Sequence, residues 1–210
     1  MKVDLIEHMG TDLTVVNAAR VSYNKEVKGA LQDGDKKLIK YLAKHNHWSP
    51  FAHCFLQFRI KAPVFVARQL VKHQVGLSWN EVSRRYVSSD PEFYIPDTWR
   101  GKPEDSKQGS TGEAESQYFP TTYLKDVSDL ALQSYQKMIQ QGVAPEMARM
   151  ILPQNMYTEW YWSGSLMAFA RVCEQRCTSD TQHETMLIAE QINIHGYETF
   201  PHSWEAIRDN

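Results

Sequence analysis

Residues 53–61, HCFLQFRIK, alternate apolar and polar side chains, and this pattern decides the fold class. Every second residue is apolar, namely Cys54, Leu56, Phe58 and Ile60. The positions between them are mostly polar, so we expect only one face to be buried. A period of two over this length is typical of a half-buried strand in an antiparallel sheet.

Helical patterns surround this strand and predict an α+β fold. Thr11 or Asp12 can cap a helix, and Pro63 suits a first helical turn. Gly142 follows a long stretch with apolar residues at 3–4 spacing, whereas 155–163 is aromatic and β-prone. Helices are expected over about 12–23, 35–45, 62–74, 123–141, 145–152, 165–176 and 184–194, with a further strand at 2–6.

The expected architecture is one domain, residues 1–210, with a central, mostly antiparallel twisted sheet flanked by helices. Residues 75–86 break the preceding helix at Gly76 and carry many polar groups. Residues 97–117 are rich in Gly, Ser, Pro and charge, and so long a loop is usually functional or disordered. We therefore expect 97–117 to form a mobile loop or a lid.

The composition excludes several classes of protein. Apolar residues make up 42% and charged residues 23%, which argues against wholesale disorder. The net charge is −2, so we expect neither nucleic acid nor a membrane as partner, since proteins that bind either are far more basic. Three cysteines, a first segment without signal-peptide features and the lack of a long apolar run predict a cytoplasmic protein.

The cysteines are predicted to be structural. Cys54 lies on the apolar face of the expected strand, and Cys173 and Cys177 lie one helical turn apart without the CxxC spacing of a redox pair. No Ser-His-Asp arrangement or glycine-rich phosphate loop is recognisable. The histidines between 45 and 53 lack a CxxC or HExxH partner motif, so we expect no metal site.

The segment RQLVKHQVGLSWNEVSRRY, residues 68–86, carries most of the functional signal. It interrupts a helix with a glycine and then places Ser83 beside Arg84 and Arg85. Arginine offers a planar fork that fits phosphate, and serine with backbone amides can complete an anion cradle. This combination favours a phosphorylated small molecule, and the competing interpretation is a salt-bridged solvent-exposed surface.

Several further blocks accompany NEVSRRY at 80–86, and together they resemble the flavin-dependent thymidylate synthases. In that family Arg-His-Arg precedes a serine by seven residues. Here Lys72-His73-Gln74 takes that place and eight residues precede Ser83, so both arginine forks and one of the two charges are lost. The accompanying blocks are AARVSY at 18–23, KHNHWSPFAH at 44–53, KAPVFVARQ at 61–69, EFYIP at 92–96, EMARMILPQNMYTEWYW at 146–162 and SLMAFARVCEQR at 165–176.

The resemblance implies reductive methylation of dUMP to dTMP. Methylenetetrahydrofolate donates the carbon, and FAD reduced by NADPH supplies the hydride. FAD lies across the subunits of a homotetramer with shared active sites, and no protein nucleophile is required. The residues that the resemblance assigns to FAD are Ser22, His47, Ser49, Lys72, His73 and Gln74.

The resemblance also assigns residues to the nucleotide. Arg176 would lie against the uracil ring and stabilise negative charge there, and it is expected to be catalytic together with Ser83 and Glu81. Arg85, Arg149 and the Ser83–Arg84 backbone suit the phosphate. The full dUMP set is Gln69, Glu81, Ser83, Arg84, Arg85, Tyr86, Arg149 and Arg176.

Two other functions stay open from the sequence. The altered Lys-His-Gln and the extra residue before Ser83 would suit a related enzyme that modifies another pyrimidine nucleotide, for example by hydroxymethyl transfer. A nucleotide-binding protein without turnover is the third interpretation, but Glu81, Ser83, Arg85 and Arg176 are all present, which argues against it.

Overall fold

The strand predicted at 53–61 is found at Phe55–Pro63, inside a four-stranded antiparallel sheet with the order β1-β2-β6-β3. The structure is a computed structural model that describes residues 1–104 and 109–209. The strands are β1 (Lys2–Met9), β2 (Phe55–Pro63), β3 (Leu77–Glu81), β4 (Arg100–Gly101), β5 (Thr111–Glu113) and β6 (Tyr157–Ser165). The helices are α1 (Asp12–Arg20), α2 (Asp33–Lys44), α3 (Val64–Leu70), α4 (Tyr118–Gln140), α5 (Pro145–Ala148), α6 (Leu166–Arg176), α7 (His183–Thr199) and α8 (Pro201–Arg208).

The alternation on β2 sets which face of the sheet is buried. Phe58 and Ile60 are fully buried, and they pair across the antiparallel ladder with Trp162 and Trp160 of β6. Both tryptophans are buried as well, so large side chains from neighbouring strands pack on one face. The half-buried antiparallel strand and the α+β class are therefore confirmed.

Helices cover the buried face of this sheet. Helix α6 packs on α7, and α8 packs on α2, α6 and α7. Asp12, at the start of α1, is buried and accepts hydrogen bonds from the backbone amides of His202 and Ser203 at the start of α8. A carboxylate at a helix N-terminus satisfies amides that have no partner within the helix. This contact joins the two ends of the chain.

The structure differs from expectation at several elements. The helix expected over 62–74 is shortened at both ends, because residues up to Pro63 pair with β6 and α3 ends at Leu70. In the polar stretch 75–86, for which no element was predicted, Leu77–Glu81 forms β3, an edge strand hydrogen-bonded to β6. Helix α8 follows α7 after Phe200 and was not expected.

Of the expected loop at 97–117, the described residues Arg100–Gly101 and Thr111–Glu113 pair as a short ribbon of β4 and β5. The ribbon is attached to α4 because the backbone of Trp99 exchanges two hydrogen bonds with the Gln117 side chain, at 2.7 and 2.9 Å. Residues 105–108 lie outside the described part, so the expected mobility of 97–117 stays a prediction. Within the described residues, no helix is both long and apolar enough to span a membrane.

Candidate functional site

Strand β3 carries Glu81 to the edge of the sheet and fixes its carboxylate there. Oε1 of Glu81 accepts a hydrogen bond from the Thr158 hydroxyl at 2.8 Å, and Oε2 accepts one from the Trp79 indole at 3.1 Å. The Trp79 ring is itself stacked on Trp160, with centroids 4.4 Å apart. The carboxylate is therefore held by two neighbouring strands.

A cavity of about 490 Å³ opens beside the end of β3. It brings together three residues that the sequence assigns to dUMP, namely Glu81, Arg84 and Arg149. Further charged side chains line the same cavity, and the sequence reasoning assigned none of them to a site. These are the cations Lys61 and Arg68 and the acids Asp90, Glu92 and Glu159.

The turn after β3 arranges the serine and arginines of the sequence motif. The Ser83 hydroxyl accepts hydrogen bonds from the backbone amide and from Nε of Arg85, each at 3.3 Å. The Arg85 guanidinium lies 5.0 Å from the Tyr86 ring, and Arg84 donates to the carbonyl of Ser89. Arg85 is exposed and keeps its terminal nitrogens for an anion.

Arg176 and His73 form a direct contact, although 103 residues separate them. Nε of Arg176 donates to Nε2 of His73 at 3.0 Å. Burial lowers the pKa of His73, and the positive charge of Arg176 lowers it further. The imidazole is therefore neutral at pH 7 and can accept this hydrogen bond.

A second polar cluster joins α3 to the start of α7. The Gln69 side chain donates to Oε1 of Gln182, and Nε2 of Gln182 donates to Oε2 of Glu184 at 3.2 Å. The Thr185 hydroxyl donates to Oε1 of Gln69 at 3.2 Å. Gln69, assigned to dUMP from the sequence, thus ends a chain of amides that begins at a carboxylate.

Glu184 is the buried member of this cluster, and the sequence reasoning assigned it no role. Its Oε1 accepts from Arg100 at 2.6 Å and from the Tyr94 hydroxyl at 3.3 Å. Burial by itself raises the pKa of Glu184, but hydrogen bonds and the charge of Arg100 outweigh it, so the pKa is lowered. Burial and Glu184 raise the pKa of Tyr94 to about 12, so Tyr94 stays a donor.

The residues assigned to FAD are spread over several elements. His47 lines a second cavity, of about 390 Å³, with the exposed Trp48 and the guanidinium groups of Arg171 and Arg208. Lys72 and Gln74 are exposed in the turn after α3, beside His73 in sequence. Two more, Ser22 and Ser49, lie in 3₁₀ turns and line neither cavity.

The thiols do not form a catalytic group with these residues. Burial raises the pKa of Cys54 to about 12 and raises that of Cys173, so neither is a thiolate at neutral pH. The pKa of Cys177 is lowered by a hydrogen bond with Cys173, and all three are free. Among the described residues, no three His, Cys, Asp or Glu side chains are grouped to hold a metal ion.

The chain is similar to one protein family along almost its whole length. A family model described as "Thymidylate synthase complementing protein" matches residues 4–202. The flavin-dependent thymidylate synthase of Ehrlichia ruminantium (strain Gardel) is 41% identical over 193 residues, which cover 90% of this chain and 64% of that protein. The corresponding enzyme of Thermus thermophilus is 38% identical over 208 residues, 99% of this chain and 76% of that protein.

Solved structures share the fold as well. The UMP/dUMP methylase PolB from Streptomyces cacaoi, bound with 5-Br dUMP, is 30% identical with a TM-score of 0.85, over 99% of this chain and 94% of that one. The same enzyme bound with 5-Br UMP gives 28% identity and a TM-score of 0.87, over 99% and 93%. The chain spans less than two thirds of the length of the Ehrlichia relatives it matches.

Proposed function

Because the chain belongs to the thymidylate synthase complementing protein family, whose relatives are flavin-dependent thymidylate synthases, we propose that it converts dUMP to dTMP. Methylenetetrahydrofolate is the proposed carbon donor and NADPH the proposed reductant. The observation that carries the proposal is the contact between Arg176 and His73. It joins the residue assigned to the uracil ring to one assigned to the flavin.

In this proposal Arg176 is the main catalytic residue. Its guanidinium lies against the uracil ring and stabilises the negative charge that develops there, which raises the nucleophilicity of C5. The neutral His73 imidazole accepts from Nε, and within the described residues the two terminal nitrogens of Arg176 have no other partner and can face the base. The protein therefore contributes orientation and charge rather than a covalent bond.

The phosphate of the nucleotide is proposed to lie at the turn after β3. Arg85 is oriented by the Ser83 hydroxyl, and the exposed Arg149 lies in the same cavity as Arg84 and Glu81. Arginine forks pair with phosphate through two parallel hydrogen bonds, which fixes both position and direction. Tyr86 shields one face of the Arg85 guanidinium.

The second cavity offers side chains that suit FAD. Arg171 and Arg208 can pair with a diphosphate, His47 can donate to it, and the exposed Trp48 offers a face for an aromatic ring. When bound, the flavin supplies the hydride that reduces the transferred carbon. Lys72, His73 and Gln74 are proposed to contact FAD on the side that faces dUMP.

The proposed enzyme is a homotetramer with shared active sites. Helix α4 supports this, because it exposes four apolar side chains at helical spacing, away from its buried residues Ser128 and Tyr135. Exposed apolar stripes of this kind mark protein interfaces. The four side chains are Phe119, Tyr123, Val127 and Leu130.

The compartment proposed for the reaction is the cytoplasm. Cys54, Cys173 and Cys177 are all free thiols, which suits a reducing environment. The proposed ligands are small molecules, namely a pyrimidine nucleotide, a folate and two cofactors.

A second candidate substrate is UMP. The similarity to a UMP/dUMP methylase over 99% of the chain favours it. The two nucleotides differ only at the ribose 2′ position, so the uracil contacts proposed for Arg176 serve both. Contacts to the sugar, and not contacts to the base, therefore decide between dUMP and UMP as substrate.

One assay tests these proposals. Purified protein should be yellow and bind roughly one FAD per chain. We expect incubation with dUMP, methylenetetrahydrofolate and NADPH to give dTMP, identified by mass analysis, with UMP as the parallel substrate. Hydroxymethyl-dUMP as product would support the related transferase, and flavin and nucleotide binding without any product would support the binding protein. A colourless protein that fails to bind added FAD would contradict both enzyme functions.

A further inference from the structure

A chain of hydrogen bonds connects Glu184 to Gln69 through Gln182, and in each bond the donor is the residue farther from Glu184. An ionised carboxylate can only accept, so the side chain of Gln182 must turn its amide nitrogen towards Glu184. The carbonyl oxygen of Gln182 then faces Gln69 and accepts from Nε2 of Gln69. As a result, Oε1 of Gln69 points towards the Thr185 hydroxyl, which donates to it.

This order leaves Gln69 with a defined set of unused groups. A glutamine amide has two N–H donors and two acceptor lone pairs. Gln182 takes one donor and Thr185 takes one lone pair, so among the described residues one N–H on Nε2 and one lone pair on Oε1 have no partner. Gln69 is half-buried and was assigned to dUMP from the sequence, and it lies three residues before Lys72, which was assigned to FAD.

The unused donor and acceptor match the imide edge of uracil. Uracil presents an N3–H donor beside a carbonyl acceptor, whereas cytosine presents an N3 acceptor beside an amino donor. An amide with one fixed orientation pairs with only one of these two patterns. A freely rotating amide could turn over and pair with either.

We propose that Glu184 is a positioning residue that fixes the orientation of the Gln69 amide through Gln182 and thereby selects uracil over cytosine. This inference rests on the proposed function, since it takes Gln69 as a contact of the base. It goes further by assigning the choice of base to a buried carboxylate that does not itself touch the nucleotide.

Two features keep Glu184 an acceptor. Its side chain is 4% exposed and forms an ion pair with Arg100 at 2.6 Å, and the Tyr94 hydroxyl donates to the same oxygen. Protonation of Glu184 would place a donor against one of these groups or against Gln182. The ion pair with Arg100 therefore maintains the direction of the whole chain of hydrogen bonds.

The test measures the affinity of the FAD-loaded protein for dUMP and for dCMP by calorimetry. Glu184→Gln replaces the carboxylate by an amide of the same shape that can donate or accept, so the orientation of Gln182 is no longer fixed. We expect the ratio of dUMP affinity to dCMP affinity to fall about tenfold or more. Glu205→Gln, at a partly exposed glutamate on α8 that pairs with Lys40, is the matched control and should keep the ratio of the parent.

A second variant covers the case in which Glu184→Gln does not fold. Gln182→Met interrupts the chain of hydrogen bonds but leaves the ion pair of Arg100 and Glu184 in place, and Gln140→Met on α4 is its control. We expect the same loss of discrimination. A purely structural role of Glu184 would weaken both nucleotides equally and leave the ratio unchanged.

The outcomes separate the two proposals. If the parent binds dUMP and makes dTMP but both variants keep its ratio, the role of Glu184 is wrong and the proposed function stands. If the folded, FAD-loaded parent binds neither nucleotide, the proposed function fails and the selection of uracil fails with it.

Discussion

Nε of Arg176 lies 3.0 Å from Nε2 of His73, so the arginine proposed for the uracil ring touches a histidine proposed for the flavin. The contact joins the end of α6 to the turn after α3. A neutral imidazole that accepts a hydrogen bond orients the guanidinium but, unlike a carboxylate, does not neutralise its positive charge. The arrangement therefore supports a cation whose charge is available to the substrate.

The first prediction concerns Arg176. Arg176→Ala should lower the rate of dTMP formation at least about 100-fold, since the loss of one group that stabilises developing charge has effects of this size. Arg176→Lys should also be poor, because a point charge does not reproduce a planar fork. FAD should stay bound in both variants, as measured by flavin absorbance.

Arg59→Lys, at an exposed position of β2, is the control and should keep the parent's rate. Turnover by Arg176→Ala at the parent's rate would contradict the catalytic role of Arg176.

The second prediction concerns the protonation of His73. Its pKa is lowered by burial and by Arg176, so the folded protein takes up this proton less readily than the unfolded chain. The free energy of unfolding should therefore fall as the pH drops below the ordinary histidine pKa of about 6.5. Arg176→Met removes one of the two causes and should raise the pKa of His73, measured by NMR titration with His73→Gln to assign the signal. An unchanged pKa would show that burial alone sets it.

The sequence predicts local structure where a period is long and unbroken. The alternation of 53–61 identifies β2 because four alternating apolar side chains meet the same core. Leu77–Glu81 carries only two large apolar side chains and lies at the edge of the sheet, so its pairing with β6 decides its structure. That pairing joins segments about 80 residues apart, which no local pattern contains.

The site was predictable in part for the same reason. The motif after β3 indicates a phosphate site because Ser83 and its two arginines are adjacent in sequence. Gln69 meets Gln182 across 113 residues, and Arg100 meets Glu184 across 84. Contacts between residues so far apart in sequence depend on how the elements pack. The role of the buried Glu184 could therefore be inferred only from the structure.

The third prediction uses a close approach between helices α7 and α8. A Cβ atom at Gly196 would lie 2.3 Å from the indole of Trp204, a buried side chain that cannot move away. Gly196→Ala should therefore lower the free energy of unfolding by about 1–3 kcal/mol. A Cβ atom at Gly34 in α2 would meet no neighbouring atom within 4 Å. Gly34→Ala should therefore be neutral or raise the free energy of unfolding by up to about 1 kcal/mol. Urea denaturation of both variants checks this, and equal effects would contradict the packing argument.

The fourth prediction concerns the thiols. Burial raises the pKa of Cys54 to about 12 and raises that of Cys173, while the pKa of Cys177 is lowered. Iodoacetamide at pH 8 should therefore label Cys177 in the native protein and spare the other two, as read by peptide mass analysis. Cys177→Ser should keep dTMP formation within about twofold, because the proposed chemistry uses no thiol. Loss of turnover in a folded, yellow Cys177→Ser protein would contradict that mechanism.

The fifth prediction links the exposed stripe of α4 to activity. Val127 and Leu130 are 55% and 65% exposed and lie outside the buried face of the helix. If other subunits cover this stripe, a lysine there has to be desolvated on assembly, which is unfavourable. Val127→Lys with Leu130→Lys should therefore shift the tetramer towards smaller species in sedimentation, and dTMP formation should fall in proportion because the active sites are shared. Lys125→Glu, on a different side of α4, should leave both unchanged, and a double variant that stays tetrameric would show that this stripe is not an interface.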